Sequence, residues 1–265
     1  MPSKPSVPAP ARAFLLGLSL AAASLSAMAQ TTAAAEITAV KVQVVDLTPD
    51  DGIWPWVWVV NNVDWAPTAS STMVQIPSGF QESDGWLGTS LAAALAANGA
   101  SASASTGVSD FSSGEGGTAS ASAQAQGGAS AWSVAQLFGG QFIAGAGTEV
   151  VVTADVQTLT ATAGGGSAMA LASLGISSAD GSSFDSSQAW VFDSPNFVDA
   201  STLSTLTVRW DNFSDSSATG QLLVDVSTQA LSVPEPSTIE MFGLAALLGA
   251  AALRRRRLGA SCQLY

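Results

Sequence analysis

Residues 150–157 read Val-Val-Val-Thr-Ala-Asp-Val-Gln, and this stretch decides the fold class. From Val150 to Val156 every second residue is apolar, and polar residues stand between them from Thr153 to Gln157. Because successive side chains of an extended chain point to opposite faces, this alternation predicts a β-strand with one buried face and one face in water.

The same two-residue period recurs along the chain, at residues 40–44, 54–59, 206–210 and 222–226. Sequences typical of turns separate these runs: Pro49-Asp50-Asp51-Gly52, Pro77-Ser78-Gly79, the three glycines 164–166, and residues 211–220. Many short strands joined by such turns predict a mainly β protein, an antiparallel β-sandwich with a jelly roll as the expected topology. About 200 residues can bury a sizeable core, so residues 30–232 are predicted to form one domain.

Two stretches leave the secondary structure open. Residues 87–97 are rich in Ala and Leu and end at Asn98-Gly99, which predicts a helix, although a strand of small residues fits as well. Residues 99–131 alternate Ala with Ser and contain several glycines, and they resemble low-complexity sequence. They are interpreted either as a mobile loop or as two short strands whose small side chains let the sheets approach closely.

The composition excludes several kinds of chemistry. The chain has no His, which rules out Ser-His and Cys-His catalysis and His-ligated metals. Its single cysteine, Cys262, lies near the C-terminus, so the central domain has no disulfide. Residues 31–232 contain eighteen acidic side chains and only two basic ones, Lys41 and Arg209, so their net charge is −16. Such a domain repels nucleic acid and anionic glycans, and no nucleic-acid partner is expected.

Residues 1–29 have the composition of a secretory signal peptide. Lys4 and Arg12 precede a short apolar run, and Ala27 and Ala29 fit the small-x-small rule for cleavage before Gln30. We therefore expect an exported protein.

Residues 233–257 combine three features in order. The extended motif Val233-Pro234-Glu235-Pro236-Ser237 is followed by the apolar residues 239–253 and then by Arg254, Arg255, Arg256 and Arg257. Fifteen helical residues span only about 23 Å, so a short transmembrane helix is expected, with the arginines held on the cytoplasmic side. Residues 258–265 would form a cytoplasmic tail.

This ordered combination resembles the PEP-CTERM sorting domain of exopolysaccharide-producing Gram-negative bacteria. The resemblance implies that an exosortase-type enzyme reads Pro234-Glu235-Pro236 and removes the tail. It also implies a precursor that is tethered for a time to the inner membrane and then delivered to the cell surface or extracellular matrix.

The eight tryptophans are the clearest binding candidates in the central domain. Trp54, Trp56 and Trp58 share one strand face, and sugars dock on exposed aromatic rings. Trp86 stands beside Asp84 and Gly85 in a stretch typical of a turn and is the other tryptophan expected to be exposed. The alternative, which is the commoner arrangement for alternating tryptophans, places Trp54, Trp56 and Trp58 in the sandwich core. Val57 and Val59 would then lie on the opposite face of the strand.

Acidic residues gather at two predicted turns. Asp46, Asp50 and Asp51 surround one turn, and Asp211, Asn212, Asp215 and Asp225 surround the other. Either cluster could contribute to a calcium site, and Asp211, Asp215 and Asp225 are the residues assigned to it. Carboxylate oxygens suit calcium, so a structural calcium ion is a hypothesis, although neither spacing matches a known calcium loop. Solvated turn acids are the alternative.

Three functions are compatible with these features. The first is a non-enzymatic surface or matrix protein with a structural or adhesive role in biofilm or floc. The second is a carbohydrate-binding module that uses exposed tryptophans, with calcium assistance, and has exopolysaccharide as its partner. The third is a glycoside hydrolase with two catalytic carboxylates, but no motif singles out such a pair.

Overall fold

A computed structural model shows how the alternating pattern folds, and it describes residues 30–59, 67–86, 90–107, 117–201 and 203–233. All regular structure in these ranges is β. The strands are β1 Thr31–Asp46, β2 Val57–Val59, β3 Pro67–Ile76, β4 Gly79–Trp86, β5 Leu91–Ala97, β6 Ala100–Gly107, β7 Thr118–Ala125, β8 Ser130–Ala144, β9 Thr148–Ala163, β10 Ser167–Ser178, β11 Phe184–Ser194, β12 Phe197–Ala200, β13 Thr205–Asn212 and β14 Ala218–Leu231.

The strands form two antiparallel sheets that pack face to face. The smaller sheet has the order β13-β9-β1-β7-β6-β5, and the larger has the order β12-β11-β10-β14-β8-β3-β4, with β2 paired to β8 beside β3. Across the interface, β7 contacts β8 and β14, and β1 contacts β10 and β14. The predicted antiparallel β-sandwich is therefore confirmed.

The expected jelly roll is not the topology observed. A jelly roll has eight strands wound as two Greek keys. Here consecutive strands lie side by side, as in β3-β4, β5-β6-β7 and β10-β11-β12, so much of each sheet consists of strands paired with their neighbours in sequence. Other neighbours come from distant parts of the sequence, as in the pairings β1-β7, β1-β9, β9-β13, β3-β8, β8-β14 and β10-β14.

The predicted helix at residues 87–97 is wrong where the structure describes it. Residues 91–97 are strand β5, and Asn98-Gly99 joins it to β6. Both turn residues have positive φ, 50° for Asn98 and 80° for Gly99, as a two-residue type I′ hairpin requires. The alternative of a strand made of small residues is the correct one.

Strands β6 and β7 contain most of the described part of the alanine- and serine-rich stretch. Their alanines point inward and are buried, for example Ala102 and Ala121, whereas their serines point outward. The outward hydroxyls pair across the strands at 2.7 Å, Ser103 with Ser122 and Ser105 with Ser120. Of the two interpretations offered, paired strands against the crowded interior fit these residues.

The core lies between the two sheets and contains the inward residues of nearly every strand. Its largest fully buried side chains are Phe142, Ile37, Leu137, Leu174, Ile176, Leu206, Val40, Val74, Val150, Val152 and Val208. Residues 29–233 form one compact unit, and it contains every buried residue of this core cluster. A segment of residues 30–233 therefore holds a complete core for folding. No helix in the described ranges is long and apolar enough to cross a bilayer.

Candidate functional site

Three alternate tryptophans lie on the outside of the sandwich. The exposed fractions are 86% for Trp54, 43% for Trp56 and 59% for Trp58. Val57, which stands between two of them, packs instead against the core. The interpretation that placed these tryptophans in the core is therefore wrong.

The pairing of β2 with β8 determines which side chains face outward. Val57 lies opposite Ala144, which is fully buried, and Trp58 lies opposite Ile143, which is only partly buried. Side chains of directly opposed residues point to the same face of a sheet. Val57 therefore points inward, as Ala144 does, and Trp58 points outward, as Ile143 does.

Gly145 continues this pairing next to Trp56. The Gly145 N–H donates to the Trp56 carbonyl at 2.9 Å. The Trp56 indole lies so close that a Cβ atom added to Gly145 would be 2.8 Å from two carbons of the ring. Only glycine leaves room for the indole in this position.

Asn212 fixes the backbone beneath Trp56. Its Nδ2 donates to the carbonyls of Gly145 at 2.8 Å, Ala144 at 3.2 Å and Ser216 at 2.8 Å. Its Oδ1 accepts a 2.6 Å hydrogen bond from the Ser214 hydroxyl. Asn212 is buried, so the residue grouped with the acidic turn serves instead to hold the end of β8.

The turn before Trp54 is held by its own acidic side chains. Asp51 accepts hydrogen bonds from the Thr48 hydroxyl at 2.6 Å and from the Ile53 N–H at 2.7 Å. The Thr48 hydroxyl and then the Ile53 N–H lower the pKa of Asp51, because both stabilise the carboxylate. Asp46 accepts the Thr48 N–H at 2.9 Å. These bonds set the path by which the chain enters the tryptophan segment.

The three aspartates considered for calcium are not brought together. Asp211 projects from β13 on the outer face of the smaller sheet, and Asp225 projects from β14 on the outer face of the larger sheet. Asp215 lies in the exposed loop 213–217. Within the described ranges, no group of three or more Asp, Glu, Cys or His side chains could hold a metal ion.

Asp211 and Asp225 both have a raised pKa, and different neighbouring groups act on each carboxylate. Burial raises the pKa of Asp211, as does the charge of Glu149, while Arg209 opposes the shift. Arg209 itself forms a 2.9 Å ion pair with Glu149. Burial also raises the pKa of Asp225, against the hydrogen bond that Gln136 Nε2 donates to it at 2.8 Å.

The remaining tryptophans occupy different places. Trp210 is buried and packs edge to face on Phe142, with ring centroids 5.3 Å apart. Trp132 and Trp190 are half-buried on the outer face of the larger sheet. The stretch around Trp86 is not a turn but part of β4, where Trp86 pairs with Ala69. The side chain of Trp86 and the whole of Trp65 lie outside the part of the chain that the structure describes.

The sorting segment begins where the last strand ends. The Ser232 N–H donates to the Ala129 carbonyl at 3.0 Å, and its hydroxyl accepts the Gly128 N–H at 2.7 Å. Val233 follows and is exposed. Residues 234–265, with the predicted transmembrane helix and arginines, lie outside the described residues, as does the signal region 1–29; Gln30 is the first described residue and is exposed.

Comparison with known proteins identifies this segment. Residues 232–257 match the family model of the PEP-CTERM protein-sorting motif. No curated protein and no solved structure matches the chain. The motif implies export, a membrane-anchored precursor and processing by an exosortase-type enzyme. Residues 232–257 are therefore a PEP-CTERM protein-sorting motif, which implies sorting to the cell surface through this C-terminal signal.

Proposed function

We propose that the sandwich is a non-catalytic carbohydrate-binding module that attaches the exported protein to extracellular polysaccharide, with an adhesive role in biofilm or floc. The observation that carries the proposal is the exposure of Trp54, Trp56 and Trp58 at alternate positions. Exposed apolar patches on a soluble surface commonly mark binding sites.

The tryptophan segment has the properties that sugar rings require. The C–H faces of a pyranose pack on an indole, while its hydroxyls remain in water or find polar partners. Ile53, which precedes Trp54 in the sequence, is also exposed, as is Phe213, which follows the Asn212 that bonds the Ala144 and Gly145 carbonyls. The hydrogen bonds of Asp51 and Asn212 hold the backbone on either side, which lowers the entropic cost of binding.

The charge of the domain restricts the glycan. A net charge of −16 between residues 31 and 232 opposes the approach of an anionic polymer. We therefore propose a neutral polysaccharide as the ligand, or an anionic one bridged by calcium at the exposed acidic side chains.

The test is a titration of residues 30–233 with the extracellular polysaccharide of the encoding bacterium, followed by tryptophan fluorescence, with and without calcium. We expect a saturable change that Trp56→Ala weakens about tenfold or more, because truncating an aromatic anchor removes its whole contact. Phe184→Ala is the matched control, since Phe184 is an exposed aromatic residue elsewhere, at the start of β11.

A fluorescence signal that stays unchanged, or one that Trp56→Ala leaves intact, would contradict the proposal. Release of reducing ends during the incubation would contradict the non-catalytic role and favour the glycosidase alternative. Binding that requires calcium would support the bridged, anionic ligand.

A further inference from the structure

A second aromatic site lies at the other end of β8. Gln75 on β3, Trp132 on β8 and Gln229 on β14 are directly opposed neighbours, with the tryptophan in the middle. All three project from the outer face of the larger sheet, because their strand neighbours Val74, Ala131 and Ala230 are buried. The half-buried indole is therefore flanked on both sides by carboxamide groups.

These residues line a cavity of about 420 Å³, together with Pro77, Ser130 and Leu231. Ser130 lies opposite Leu231, two positions from the Trp132–Gln229 pair, so the cavity lies where β8 begins and β14 ends. Its volume falls within the range of small-molecule sites. The cavity is partly open to solvent.

The chemistry of the lining favours an uncharged polyol. None of the eight lining residues is charged, although the domain around them carries eighteen acidic groups. Each glutamine offers a donor and an acceptor, and the Ser130 hydroxyl offers both, which matches the dual character of sugar hydroxyls. The indole supplies the apolar surface for one face of a pyranose ring.

We propose that this pocket binds a neutral hexopyranose unit of a glycan, independently of the Trp54–Trp58 segment. Trp132 and Ile143, the residue opposite Trp58, are eleven positions apart along β8, which is about 35 Å of strand. A polymer held at both ends of the same strand would bind more tightly than at either site alone, since the second contact is intramolecular.

The eight indole N–H groups provide a separate signal for each site. Residues 30–233 with ¹⁵N-labelled tryptophan are titrated with cellohexaose, laminarihexaose and maltohexaose, and with hexagalacturonate as an anionic control. Single Trp→Phe substitutions assign the peaks. We expect a neutral hexaose to shift the Trp132 peak saturably, and Gln75→Ala with Gln229→Ala to weaken this response about tenfold. Gln188→Ala, on the same sheet face at β11, is the control and leaves the Trp132 response unchanged.

The outcomes separate the two proposals. A Trp132 peak that no neutral hexaose moves overturns the pocket, whatever happens at Trp54, Trp56 and Trp58. A shift at Trp132 with those three peaks unmoved supports the pocket and counts against the proposed role of the exposed segment. An equal or larger response to hexagalacturonate overturns the neutral ligand class. Thermal unfolding of every variant verifies that the sandwich is folded.

Discussion

The indole of Trp56 lies against Gly145, whose N–H donates to the carbonyl of the same tryptophan at 2.9 Å. The two contacts hold both the backbone and the ring of Trp56, and they connect the β2 segment to the end of β8. A glycine that sequence inspection gives no reason to select thus positions the central tryptophan of the candidate site.

Gly145→Ala should displace the indole and weaken polysaccharide binding about tenfold, since the added Cβ would overlap the ring. The melting temperature should change little, because Trp56 is at the surface and its ring can swing into solvent. Fluorescence titration and thermal unfolding measure the two effects. Gly79→Ala is the control, where the Cβ would meet Leu95 Cδ1 at an ordinary 3.6 Å. Unchanged affinity in Gly145→Ala would show that the ring position does not matter for binding.

The fold class was predictable because alternation marks a strand with one buried face, as residues 150–157 do in β9. The pattern fails where apolar residues occupy both faces of a strand. Strand Leu91–Ala97 consists of alanines and two leucines, so no polar residue marks a period of two, and the leucines stand four apart, as on a helix. The Asn98-Gly99 pair was the decisive local signal, and it marks a hairpin rather than the end of a helix.

The candidate sites were predictable only in part. Alternation places Trp54, Trp56 and Trp58 on one face but cannot say which face is inside. That choice depends on the partner strand, where Val57 meets the buried Ala144. The second site brings together residues 75, 132 and 229, whose separation in sequence leaves no local pattern to read.

Small side chains between the sheets predict a strict size limit at β7. Ala121 is buried, with β8 and β14 packed across from its strand. Ala121→Leu should lower the free energy of unfolding by about 1–3 kcal/mol, because the added volume forces strained packing. Urea unfolding measures the change. Ser103→Leu on neighbouring β6 adds comparable bulk on the exposed face and should have a much smaller effect; equal losses from both would argue against close sheet contact at Ala121.

Asp185 joins the edges of the two sheets. Its carboxylate, on β11, accepts the backbone N–H of Arg209 on β13 at 2.8 Å. Asp185→Ala should cost about 1 kcal/mol of stability by removing this acceptor. Asp185→Asn keeps an acceptor oxygen at the same place and should recover most of the loss in urea unfolding. Equal destabilisation by both variants would mean that the negative charge, and not the hydrogen bond, is what matters.

Asp225 should make the domain less stable as the pH rises. Burial raises its pKa above the ordinary 3.8, so the folded state holds the proton more tightly than the unfolded chain does. Stability should therefore fall as the pH rises from 3.8 through the raised pKa, and Asp225→Asn should remove this fall while still accepting from Gln136. Melting temperatures across the acidic to neutral range measure it.

Asp180 provides the control of opposite sign. The Ser182 N–H, with the hydroxyls of Ser178 and Ser182, lowers the pKa of Asp180 to about 2. The contribution of Asp180 to stability is present above its ordinary pKa and is lost as the pH falls towards 2. Asp180→Asn should therefore lower the melting temperature above the ordinary pKa and have little effect near pH 2. The interpretation of Asp225 would be wrong if Asp225→Asn and the original chain lost stability in parallel as the pH rose.

The sorting motif predicts how the protein leaves the membrane. Replacing Pro234, Glu235 and Pro236 with alanine should leave the precursor in the membrane fraction, because the motif that implies processing by an exosortase-type enzyme is lost. Membrane and released fractions of the full chain, compared by immunoblot in the encoding bacterium, measure the change. Asp215→Ala, in the exposed loop 213–217 of the sandwich, is the control and should be released normally.

Since the last strand is closed by Ser232, the alanine variant should retain a folded sandwich, and protease resistance of residues 30–233 verifies this. Release of the alanine variant at the normal rate would mean that the processing enzyme does not depend on these three residues.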